Sequence, residues 1–174
     1  MNKLNQKQQF YIYPICLILI LSLSRIIPHP ANFTPILALG IFSGFYFKNL
    51  IISFFVVISS MFLGDLYLGF HGTMFFTYTS LALAVLIGFF IKYFKFKEIL
   101  VSGLAASTIF FLITSFGSWL THEMYEKSFS GLLQAYAMGI PFFLNTLIST
   151  FFYLALLKFL FNFAINKKMF KFSF

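Results

Sequence analysis

The sequence predicts an all-α membrane protein, a six transmembrane helix bundle with N- and C-termini cytoplasmic. Its composition lies far outside that of soluble domains: of 174 residues, 60% are hydrophobic, 22% aromatic and only 9% charged, with a mean hydropathy of +0.93. Its apolar runs are long enough to cross ~30 Å of hydrocarbon, which takes about 20 helical residues. Its lysines fall in alternate connections, as expected of cytoplasmic loops.

The first span covers about residues 10–27. A signal peptide is the competing reading, since Lys3 and Lys7 precede the run. No A-x-A cleavage site follows, however, and the run is long for such a core, so it reads as a true span. Cys16 lies inside it, has no second cysteine to pair with, and reads as a small buried hydrophobe. The second span, about 33–47, is short and has Pro35 in its first turn, where a missing N–H costs nothing. The third, fourth and fifth cover about 49–70, 74–94 and 99–120. The sixth, about 139–163, has Pro141 in its first turn. Before it, "THEMYEKSFSGLLQAYAM" is too polar to span and too long for a plain turn, and is expected to form an outer loop carrying a short amphipathic helix.

With the N-terminus inside, the inner segments hold Lys3, Lys7, Lys48, Lys92, Lys95, Lys97, Lys158, Lys167, Lys168 and Lys171. The outer segments hold only Arg25 and Lys127. Adding or removing one span would scramble this split, so it supports both the count and the direction. The chain reads as one integral membrane domain, 1–174, without a repeat or low-complexity linker. Eleven lysines and one arginine outweigh four acids, yet they form no stripe that could track phosphates, so no nucleic-acid partner is expected. Gly40/Gly44, Ala84/Gly88 and Gly103/Ser107 are small pairs at four-residue spacing that would let helix backbones approach closely.

Most of the unusual chemistry gathers on the outer side. Asp65 in "MFLGDLYLGFHG" lies inside a span, where an ionised side chain costs ~2.5 to 3.5 kcal/mol at the bilayer centre and less near the interface. Arg25, near the outer end of the first span, is its best partner, either as a structural ion pair or as half of a ligand contact. His29 is held between two prolines. His71 sits in a turn flanked by Gly69 and Gly72, which permit conformations other residues resist. His122 and Glu123 are adjacent, but no second histidine follows at helical spacing, so the zinc-protease pattern is absent. The three histidines have no diagnostic metal spacing, and neither a metal nor a cofactor is assigned. Trp119 and Tyr125 read as interfacial aromatics or stacking groups, and Asn145 as an interhelical amide or a cavity-facing one.

The segments "RIIPHPANFTPILALGIFSG", "MFLGDLYLGFH", "SFGSWLTHEMY" and "GLLQAYAMGIPFFLNTL" resemble, in this order, a family of small uncharacterised bacterial integral membrane proteins defined as a domain of unknown function. That resemblance implies the bacterial cytoplasmic membrane and no established activity. More distantly, the six spans and an outer site built from the first, third and fifth connections are similar to the substrate-binding S components of energy-coupling factor vitamin transporters. This second resemblance implies a vitamin cradled by outer loops and docking to an ATPase-driven membrane partner. The small-residue pattern with which such a first helix meets its partner is absent from residues 10–27, and Gly40/Gly44 are the substitute.

The leading expectation is a membrane solute-binding transport subunit taking a small vitamin-like molecule from the outer side. Its ligand-binding residues would be Arg25, His29, Asn32, Asp65, His71, Trp119, His122, Glu123, Tyr125 and Asn145. Arg25 and Asp65 would fix charged ends, Trp119 and Tyr125 would stack on a ring, and Asn32 and Asn145 would supply amide contacts. A corrinoid held through one histidine is a candidate ligand. Beyond the ligand, the partners are the lipid bilayer and an ATPase energy-coupling module. Two alternatives stand beside this one. In the first, the chain is an assembly or scaffold subunit. In the second, it is a membrane enzyme using Asp65, His71, His122 and Glu123 on a lipid-linked substrate.

Overall fold

The structure, a computed structural model, describes residues 23–166 together with Cys16 and Ile20. These residues form five helices: α1 (Ile36–Phe47), α2 (Leu50–Leu68), α3 (Met74–Phe90), α4 (Phe96–Thr121) and α5 (Phe129–Asn166). No strand occurs among the described residues. Most of the expected first span lies outside them; of its described residues, Cys16, Ile20, Leu23 and Ser24 are helical.

The helix α1 is apolar all round and buried along nearly its whole length, which is how such a helix must be placed. It contacts each of α2, α3, α4 and α5. At 12 residues it is about 18 Å long, a central strut shorter than the hydrocarbon layer. In contrast, α2, α4 and α5 are long and apolar enough to cross a membrane. Their outward faces carry Ile51, Phe55, Leu66, Leu104, Leu133 and Phe152, all exposed. Such a surface suits lipid rather than water. Cys16, expected to be buried, is exposed; being removed from water by a bilayer is not the same as being buried in protein.

The glycines set how closely the helices approach. A Cβ on Gly88 would lie 1.9 Å from the carbonyl oxygen of Ile41, and one on Gly44 would lie 2.2 Å from that of Val85. The backbones of α1 and α3 are therefore in direct contact, as small pairs allow. Gly40 and Gly44 are buried in this seam, which overturns their expected use as a docking surface for a transport partner. Gly103 similarly faces the Phe151 ring of α5.

Short connections and side-chain caps close the helix ends. Asn49 Oδ1 accepts the Ile52 N–H at the start of α2, one of the orphan donors of a helix terminus. Lys48, in the left-handed region with φ of 49°, donates to the carbonyls of Phe89 and Ile91 and ties the end of α1 to that of α3. Beyond it, Phe45 stacks on Phe94 at 4.9 Å and meets Phe161 edge-on. This end of the bundle is packed with aromatic rings, whereas the opposite end holds a cavity.

Element boundaries differ from expectation in two instructive places. Pro35 is the N-cap of α1 rather than a first-turn residue, and its carbonyl accepts Leu39 N–H at 2.9 Å. More importantly, the expected outer loop before residue 139 is largely helix. The helix α5 begins at Phe129 and runs through Pro141 to Asn166, 38 residues in all, or about 57 Å. That exceeds the hydrocarbon thickness, so its first turns tolerate the polar residues that argued against a span. Pro141, read as a helix start, lies in the helix interior and leaves the Ala137 carbonyl without its i+4 donor.

Candidate functional site

At the end of the bundle where α1, α3 and α5 begin and α2 and α4 finish, the chain's only arginine meets Asp65, a buried acid within α2. Arg25 Nη2 lies 2.8 Å from Asp65 Oδ1, with the side chains 12% and 1% exposed respectively. Arg25 Nη1 also donates to the Met61 carbonyl at 2.8 Å, and the Tyr78 hydroxyl donates to Asp65 Oδ2 at 2.8 Å. A buried carboxylate is tolerable only when it is paired and hydrogen-bonded, and Asp65 meets both conditions. The bare face of Gly64 makes room for the guanidinium: a Cβ there would stand 2.3 Å from Arg25 Nη1.

In front of this pair lies a cavity of about 300 Å³, at the lower end of the range for small-molecule sites. The first connection contributes Arg25, Asn32 and Thr34, the second His71 and Thr73, and the third Tyr125. On the helices, α3 adds Thr77; α4 adds Phe110, Phe111, Thr114, Ser115 and Ser118. One face of α5 completes the wall with Ala135, Met138, Gly139, Phe142, Phe143 and Thr146. The cavity thus combines one guanidinium, the residues His71 and Asn32, hydroxyl groups and aromatic rings, with no carboxylate among its lining residues.

The first connection is held in place by α5. Residues 30–33 form a turn closed by Phe33 N–H to Pro30 O at 2.9 Å, with Asn32 at a φ of 62°, which asparagine tolerates better than most residues. Asn145 Nδ2 donates to the Ala31 carbonyl at 3.0 Å, and Ser149 Oγ to that of Asn32 at 3.4 Å. Asn145 therefore fixes a wall of the cavity and is absent from its lining.

Of the ten residues singled out from sequence, Arg25, Asn32, His71 and Tyr125 line one cavity. Asp65 sits behind Arg25, sealed from the space. The other outer-side candidates are turned elsewhere. His29 Nδ1 meets the Pro30 carbonyl at 2.9 Å, and His122 Nδ1 that of Ser118 at 3.0 Å. Trp119, expected to stack on a ligand, packs on Phe116 and donates its Nε1–H to Glu126 O at 2.9 Å. Lys127 donates to the Trp119 and His122 carbonyls, so a cation caps the C-terminal end of α4, where the helix dipole favours one. Glu123 lies in the same loop, exposed. His71 Nδ1 lies 2.8 Å from Thr73 Oγ1. Among the described residues, no three His, Cys, Asp or Glu side chains gather at metal-binding distance.

Tyr78, Gly64 and the hydroxyl stripe escaped sequence reasoning. The stripe had a readable signal: Thr73/Thr77 and Thr114/Ser118 are polar pairs at four-residue spacing in otherwise apolar helices, which puts each pair on one face.

A family model described as a family of unknown function, DUF6580, matches residues 5–172, and the chain belongs to that family. No curated protein and no solved structure matches the chain.

Proposed function

We propose that this member of DUF6580 is a six-helix solute-binding subunit of the bacterial cytoplasmic membrane. In this reading both termini are cytoplasmic, and a small vitamin-like molecule enters from the outer side. The observation that carries it is the meeting of three separate connections at one cavity of about 300 Å³. Convergent polar groups on a largely apolar wall are the usual form of a small-molecule site. A space of this size suits one or two fused rings better than a whole corrinoid macrocycle. The direction follows from charge: Lys48, Lys92, Lys95 and Lys97 lie at the end away from the cavity, and lysine marks the cytoplasmic face. Transport would be driven by a separate ATPase-powered membrane partner, as the architectural resemblance to S components implies.

Native mass spectrometry of the chain purified gently in detergent tests the reading. The expected result is a bound organic mass that disappears when Ser118→Phe fills the cavity. A metal in its place would favour a membrane enzyme. An empty cavity with a protein partner retained in the spectrum would overturn solute binding in favour of a scaffold role.

A further inference from the structure

The chemistry of the cavity also specifies its occupant. We infer that it takes an uncharged, flat heteroaromatic molecule bearing a carbonyl-type acceptor together with N–H or O–H donors. This inference rests on the solute-binding reading above.

Charge comes first. Arg25 is the one permanently charged group on the wall, and Asp65, 2.8 Å away and 1% exposed, already neutralises it. An anion would find a cation whose counter-charge is in place, and would give up its hydration beside Phe110, Phe111, Phe142 and Phe143. A cation would find no carboxylate, because Asp65 is sealed behind the guanidinium and bound by Tyr78. Moving an unpaired charge into such a space is costly, so an uncharged molecule fits best.

Hydrogen-bond polarity comes second. The hydroxyls of Thr77, Thr114 and Thr146 donate to the carbonyls of Thr73, Phe110 and Phe142 in their own helices, at 3.2, 2.7 and 2.9 Å. This i−4 bonding is common for threonine in helices. Each hydroxyl has one proton and two lone pairs, so these three offer a ligand acceptors. Arg25 has five N–H groups, of which one donates to Met61 O while Nη2 is ion-paired with Asp65 Oδ1, and its remaining donors suit a carbonyl oxygen. The tilted pair Phe111 and Phe143, with centroids 4.9 Å apart, supplies ring faces for stacking.

Four probes on one ring system separate these terms: quinoline-3-carboxamide, the quinoline-3-carboxylate anion, the 1-methylquinolinium-3-carboxamide cation, and N,N-dimethylquinoline-3-carboxamide, which lacks amide donors. Calorimetric titration of the wild-type protein in nanodiscs should show the carboxamide binding about tenfold or more tightly than the dimethyl probe, as the loss of one or two hydrogen bonds implies, and about tenfold or more tightly than the anion and the cation, whose charge would go unpaired in the cavity. Combining Thr77→Val, Thr114→Val and Thr146→Val should weaken the carboxamide on the order of tenfold and leave the dimethyl probe unchanged. If the carboxylate or the cation binds as tightly as the carboxamide, the proposed class is wrong while solute binding stands. Absence of binding by all four overturns both. The wild-type comparison needs no variant, so a triple variant that fails to fold leaves the test intact.

Discussion

Gly64 stands so close to Arg25 that a single added Cβ would lie 2.3 Å from Nη1 of the guanidinium. The glycine belongs to the same turn of α2 as Met61 and Asp65, which hold that guanidinium. Gly64→Ala should therefore expel Arg25 from its seat and leave Asp65 unpaired. Measured by thermal unfolding in detergent, it should cost several times what an ordinary helix Gly→Ala exchange changes, which is about 1 kcal/mol and stabilising. A neutral or stabilising result would mean that the arginine has another resting place.

The ion pair itself can be tested by a double-mutant cycle. Arg25→Met leaves a carboxylate that is 1% exposed without its partner, and should cost about 3–5 kcal/mol, as for other broken buried pairs. Asp65→Asn should cost a comparable amount, whereas the two together should recover more than half of the summed loss. Simple additivity in unfolding midpoints would show that the pair is not coupled.

The seam between α1 and α3 predicts a contrast between glycines. Gly88→Ala drives a methyl into the Ile41 carbonyl, 1.9 Å from the ideal Cβ, whereas Gly40→Ala brings it to 3.1 Å from another methyl, that of Ala84. The first should destabilise by about 3 kcal/mol or more, since backbone cannot yield as a side chain does. The second should fall within about 1 kcal/mol of wild type, because helix propensity favours alanine. Equal melting temperatures for the two variants would contradict the backbone contact.

Asn145→Ala should loosen the turn at residues 30–33 without unfolding the bundle. Losing the bond to the Ala31 carbonyl, 3.0 Å, removes about 1 kcal/mol. Hydrogen exchange should report it first at the Phe33 amide, which closes that turn. Unchanged protection there would mean that Ser149 alone holds the connection.

The proposed direction in the membrane has a labelling test. With Cys16→Ser removing the only cysteine, Glu123→Cys should react with a membrane-impermeant thiol reagent on intact cells. Lys95→Cys should react only after lysis. The reverse pattern would place the cavity on the cytoplasmic face.

The pairing of Arg25 with Asp65 was legible in the sequence because Asp65 lies inside a span near its outer end, Arg25 lies near the outer end of the first span, and an intramembrane charge demands a partner. The small-residue pairs were legible for a similar reason, although not which helices they join. The start of α5 was hidden because "THEMYEKSFSGLLQ" is polar and Pro141 looks like a first-turn residue, so both cues pointed to a later helix. The cavity wall was hidden for a subtler reason. Thr77, Thr114 and Thr146 satisfy their own protons within their helices, and the four-residue spacing of Thr73/Thr77 and Thr114/Ser118 marks a shared face without telling whether it meets a cavity or a neighbouring helix. Trp119 and His122 drew notice by their chemistry, yet the α4 terminus and its loop engage both.

The helix α1 has only 12 residues, about 18 Å, against a hydrocarbon layer of ~30 Å. Its N-terminal residue Ile36 lines the cavity, so in the proposed orientation an occupant would sit well below the outer membrane surface. Part of the transmembrane voltage would then fall between bulk solution and the bound molecule, at about 2.3 kcal/mol per elementary charge for each full 100 mV. A charged occupant would load and unload at rates set by the energisation of the cell. An uncharged one would reach its seat with an affinity that stays the same in resting and energised membranes.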